Sequence, residues 1–103
     1  MIGICKNIGP HSVAMFVLDD KEPIPYQDCE AVGAYNDILV VAQPDNGVRA
    51  ISKELIAAVS GGKANSTVIE AKGVMWNVIF ILTKGVSYYD TFRFVKDELE
   101  ARD

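Results

Sequence analysis

The residues with the most chemical promise are Gln43, Asp45, Asn46, Gly47 and Arg49, within the segment Gln43-Pro44-Asp45-Asn46-Gly47-Val48-Arg49. This segment lies where a β-branched run ends and an amphipathic run begins, so a strand is expected to hand over to a helix there. Ligands often sit outside the carboxyl ends of strands, and the unpaired amides of a helix start receive anions. Gly47 would admit a close backbone approach, and Arg49 would pair with a carboxylate or phosphate. Turn chemistry accounts for the same residues, because a turn followed by a helix cap also selects Asp, Asn and Gly.

Other constellations are poorer in chemistry. Ser60-Gly61-Gly62-Lys63-Ala64-Asn65-Ser66 has the glycines and lysine of a phosphate loop, but Ala57 stands where the leading Gly belongs and Ala64 follows Lys63. It also closes an expected helix where a phosphate loop opens one. Cys5, His11 and Cys29 are the soft metal-ligand candidates, and they lack both a Cys-x-x-Cys spacing and a second histidine. A closed zinc site would need acidic help, and a Cys–His nucleophile would depend on one imidazole. Asp19, Asp20 and Glu22, beside Pro23, fit a solvated turn, and neither they nor Glu98, Glu100 and Asp103 have the spacing of a calcium loop. The expectation is no catalytic residue, no metal site and no cofactor.

The aromatic residues are more telling. Six of the nine fall between residues 76 and 94: Trp76, Phe80, Tyr88, Tyr89, Phe92 and Phe94. Tyr88, Phe92, Val95 and Leu99 recur on one helical stripe, whereas Phe94 is turned about 200° from Phe92 at roughly 100° per residue. A large ring on the charged side of a helix is what a partner contact would use. Trp76, Tyr89 and Phe94 are therefore the candidate interface residues.

The elements that must position these residues follow from apolar patterning and turns. Met1 to Cys5 is expected to be a short strand ended by Asn7-Ile8-Gly9-Pro10, and Ser12 to Leu18 a second strand. Ile24 to Cys29 is expected to return as a hairpin arm, placed at a sheet edge or made irregular by Pro25. Glu30 to Tyr35 is ambiguous between loop and one helical turn. Asp37 to Gln43 is a continuous β-branched run of the kind covered on both faces. A helix is expected from about Val48 to Ser60, its stripe formed by Val48, Ile51, Leu55 and Val59, with Gly61-Gly62 closing it. Ser66 to Ala71 and Val74 to Thr83 are expected to form an antiparallel hairpin through Lys72-Gly73. Tyr88 to about Arg102 is the clearest helix, with Ser87 and Asp90 spaced as a capping box and Lys96–Glu100 and Glu98–Arg102 as i, i+4 pairs.

The fold class expected is α+β: one sheet of about five to six mixed, largely antiparallel strands packed by two helices, all in a single domain spanning residues 1–103. This element order is similar to that of small profilin-like or roadblock-type modules, a likeness of order alone that carries no functional residue.

Composition narrows the partners. A net charge of −4 and a pI near 4.9, with Lys and Arg scattered singly, leave no basic stripe for nucleic acid or an anionic membrane surface. Two cysteines in 103 residues are too few for a disulfide scaffold. No secretory signal is expected, since Lys6, Asn7 and Pro10 interrupt the N-terminal residues, and the location implied is cytoplasmic. Half the residues are apolar and the mean hydropathy is +0.15, which points to strands buried on both faces or to a surface that meets a partner. The functional expectation is a non-enzymatic interaction or regulatory module, homo-oligomeric through its aromatic C-terminal region. The alternative is a small-molecule- or anion-binding protein, or a minor enzyme, with its site at residues 43–49.

Overall fold

Two tight turns fold much of the described chain into hairpins. The computed structural model describes residues 2–17, 37–45, 63–83 and 85–102. β1 (Ile2–Ile8) and β2 (His11–Val17) are antiparallel and joined by Gly9-Pro10, where Gly9 takes φ +55° at the first turn position. β4 (Lys63–Ala71) and β5 (Val74–Leu82) are joined by Lys72 and Gly73, at φ +51° and +77°. Positive φ at both central residues is the I′ geometry, whose twist matches that of the flanking strands. β3 (Ile38–Pro44) lies between the hairpins, parallel to β2 and antiparallel to β5, so the sheet order is β1-β2-β3-β5-β4.

β3 is buried on both faces, as its β-branched run leads one to expect. Val40 and Ala42 point to one face with Val13, Met15, Val78 and Phe80, while Leu39 and Val41 point to the other with Ala14, Ile79 and Ile81. Pro44 is tolerated at the end of β3 because of where its nitrogen points. The Asp45 N–H donates to the Met75 carbonyl at 2.8 Å, so the next residue back, Pro44, faces the β2 side, and the β2 pairing ends at Ala42.

The C-terminal helix α1 (Tyr88–Glu100) starts where the sequence places it. Ser87 Oγ accepts from the Asp90 N–H at 3.2 Å, and the buried Thr91 hydroxyl donates to the Ser87 carbonyl at 2.9 Å. Val95 and Leu99 are buried against the sheet, and the Tyr88 ring meets Phe80 edge-on with centroids 5.3 Å apart. The helix approaches both edge strands. Lys6 of β1 pairs with Glu98 at 2.6 Å, while Lys96 Nζ donates to the Glu70 carbonyl of β4 at 2.8 Å. The helix thus has partners on both flanks, and Phe94, off the expected stripe, is partly buried against the core.

The expected fold class is corrected in one respect. The described residues are mostly β, forming one five-stranded sheet with a single C-terminal helix rather than a sheet packed by two helices. Polar residues account for the extra strand: β1 continues through Lys6 and Asn7 to Ile8, and β4 begins at Lys63. Edge strands accommodate such residues because one side of them faces solvent. The candidate helix from Val48 to Ser60, the arm from Ile24 to Cys29 and the segment Glu30 to Tyr35 lie outside the described residues. None of the described helices is long and apolar enough to cross a membrane.

Candidate functional site

Side chains able to do chemistry meet at the start of the parallel β2–β3 pair. The Asp37 carboxylate accepts from the Ser12 N–H at 3.0 Å and from the Ser12 hydroxyl at 3.3 Å, and lies 3.8 Å from His11 Nδ1. Ser12 Oγ in turn accepts from the Asp37 N–H at 3.2 Å. The residue types are those of a nucleophilic triad, but the order is wrong for one. A triad puts the imidazole between carboxylate and hydroxyl, so that the base can take the hydroxyl proton. Here the carboxylate lies between them, and among the described residues the Ser12 hydroxyl is engaged by Asp37. The cluster is a clamp that fixes the register of the two parallel strands. Sequence reasoning did not assemble it, because His11-Ser12 and Asp37 are joined only by strand pairing.

The segment 43–49 is described only in part. Gln43 is 3% exposed at the end of β3, opposite Asn77, and is hydrogen-bonded or otherwise engaged within the fold. Asp45 is exposed, and its N–H is taken by the Met75 carbonyl, so that amide is not open to an anion. Asn46, Gly47 and Arg49 lie outside the described residues. Among the described residues, no three His, Cys, Asp or Glu side chains converge as a metal site would require. Cys5 is exposed on β1, and Cys29 lies outside the described residues.

The candidate interface residues separate in the fold. Tyr89 is 64% exposed at the first turn of α1, with the Arg93 guanidinium 6.0 Å from its ring centroid. Trp76 is half-buried under Arg102, whose guanidinium lies 5.7 Å from the ring centroid, and Phe94 packs against the core. Glu98 also departs from its expected pairing, turning to Lys6 rather than Arg102.

The exposed apolar surface lies instead on the β4–β5 hairpin. Val68 is 48% exposed, Val74 41% and Met75 46%. Val68 stands opposite Asn77 and Met75 opposite Glu70, so Val68 and Met75 are diagonal neighbours on the sheet face away from α1. The available signal was the alternation in Thr67-Val68-Ile69: Ile69 is buried, which obliges Val68 to point the other way. β4 is also the edge of the sheet, with β5 its one neighbour among the described strands.

No family model, curated protein or solved structure matches the chain.

Proposed function

We propose that the protein is a non-enzymatic interaction or regulatory module whose contact surface is the β4–β5 hairpin. One observation carries the reading: Val68 and Met75 expose large apolar side chains side by side on the face away from α1, and Val74 exposes another on the opposite face beside the turn of the same hairpin. Scattered exposed apolar residues are ordinary, but a group on one hairpin at a sheet edge is what a partner covers. The location proposed is the cytoplasm, where the exposed Cys5 thiol stays reduced.

Met75→Glu, combined with Val74→Thr, tests this. Both side chains stand in solvent, so the variant keeps the wild-type thermal midpoint. Sedimentation velocity of the wild type is expected to give a species heavier than the 11.3 kDa chain, which the variant shifts toward the monomer. A folded variant that sediments as the wild type does would remove the exposed apolar face of the hairpin as the contact surface.

A further inference from the structure

We infer that the partner at this surface is a second copy of the chain, joined by antiparallel pairing of β4 with β4 about a two-fold axis at Thr67; this rests on the interaction reading above. The backbone polarity of β4 follows from bonds at both ends of β3. Thr83 N–H donates to the Asp37 carbonyl and Asp45 N–H to the Met75 carbonyl, so the odd-numbered residues of β5 bond to β3. Its even-numbered residues then bond to β4, and the register Ala71↔Val74 turns the odd-numbered residues of β4 inward. Ala64, Ser66, Val68 and Glu70 consequently present their N–H and C=O groups at the sheet edge. The Lys96 ammonium on the Glu70 carbonyl is consistent with that direction and leaves the carbonyl its second lone pair.

An edge of this kind is self-complementary in several antiparallel registers, and one of them pairs every outward residue. Centring the two-fold axis on Thr67 pairs Ala64 with Glu70 and Ser66 with Val68 of the other copy, each pair exchanging both bonds, so all four outward residues are used. A two-fold axis perpendicular to the sheet keeps each face continuous. Thr67 then meets its own counterpart on the helix face, a favourable cross-strand pair. The charges agree with antiparallel pairing. Lys63 stands opposite Ala71 of the other copy, so antiparallel pairing keeps the two Lys63 side chains at opposite ends of the seam, whereas parallel in-register pairing would set Lys63 against Lys63. The nearby Lys72 and Lys96 are already engaged, with the Arg102 carbonyl and with Glu70 and Glu100.

The two edges of the sheet differ in how they are guarded. β1 carries Lys6 in its middle, tied to Glu98, which is a device that discourages strand addition. From Ala64 to Ile69, β4 has no charge and no proline, and three of its residues are Thr, Val and Ile. A nine-residue edge strand of that composition is a template for pairing.

The test uses the full chain. Light scattering is expected to give twice the 11.3 kDa chain mass for the wild type and a halved mass for Ser66→Pro. Proline removes only an outward amide at position 66, so the β4–β5 ladder and the circular dichroism spectrum are retained. A register test does not depend on proline being tolerated. In a Cys5→Ser, Cys29→Ser background, Thr67→Cys is expected to form an interchain disulfide under mild oxidation. The two Cα atoms of a non-hydrogen-bonded pair stand about 4.5 Å apart, within disulfide range. Asn65→Cys, whose copies would be roughly 14 Å apart at ~3.4 Å per residue, is expected not to cross-link. A monomeric wild type, or equal cross-linking at positions 65 and 67, would overturn the inference. A dimer broken by Met75→Glu but not by Ser66→Pro overturns edge pairing and leaves the interaction reading standing.

Discussion

Thr91 shows how a polar side chain is kept in this core. It is fully buried on α1, and its hydroxyl donates to a Ser87 carbonyl that also accepts the Thr91 N–H at 3.1 Å. The acceptor is therefore satisfied without the hydroxyl, and Thr91→Val keeps the volume while removing no needed partner. Its cost in urea unfolding is expected to be below about 1 kcal/mol. Thr91→Ser keeps the hydroxyl and deletes a buried methyl, for an expected loss of about 1 kcal/mol. The reverse order would mean that the hydroxyl, not the methyl, holds the helix in place. Phe80 marks the other extreme. Fully buried at the centre of β5 and edge-on to Tyr88, it should cost about 3–5 kcal/mol as Phe80→Ala, a large share of a small domain's stability.

Elements held together by neighbours in sequence are the ones whose prediction agrees with the structure. α1 has its cap at Ser87, its apolar stripe and its Lys96–Glu100 pair at 3.1 Å, all within one stretch of chain. Ser87→Ala should therefore destabilise by about 1 kcal/mol in thermal or urea unfolding, and Ser87→Asp should restore most of it. Equal stability of the alanine variant and the wild type would show that packing alone sets the helix start. The Lys72-Gly73 hairpin was legible for the same local reason, two strands separated by a two-residue turn. What depends on distant pairing was not legible. Lys6 looked like the end of a strand because its partner, Glu98, lies 92 residues on. Phe94 looked like a surface ring because a helical wheel shows one buried stripe, whereas α1 has partners on both flanks and Phe94 is partly buried against the core. Of the candidate sites, the sequence offered chemistry at residues 43–49, while the exposed apolar surface arises from the alternation of β4 and β5.

At the scale of the whole molecule, the sheet sets a gradient of protection from its centre to its edges. β3 and β5 are paired on both sides and buried, so the amides of Val40 and Phe80 should exchange with solvent most slowly. β4 has a different signature, because its inward amides are bonded to β5 and its outward amides face the edge. In dilute solution, Asn65, Thr67 and Ile69 should be protected and Ser66 and Val68 should exchange rapidly, alternating residue by residue. Pairing with a second copy supplies acceptors to the outward set alone. Raising the chain concentration through the dimer transition should therefore slow Ser66 and Val68 selectively, until the alternation along β4 is lost. The amides of β1 provide the internal comparison, since linkage to dimer formation slows every globally exchanging amide but should leave the alternation at that edge unchanged. Alternation in β4 that persists where light scattering reports a dimer would place the contact on the hairpin face, at Val68 and Met75, rather than on the strand edge.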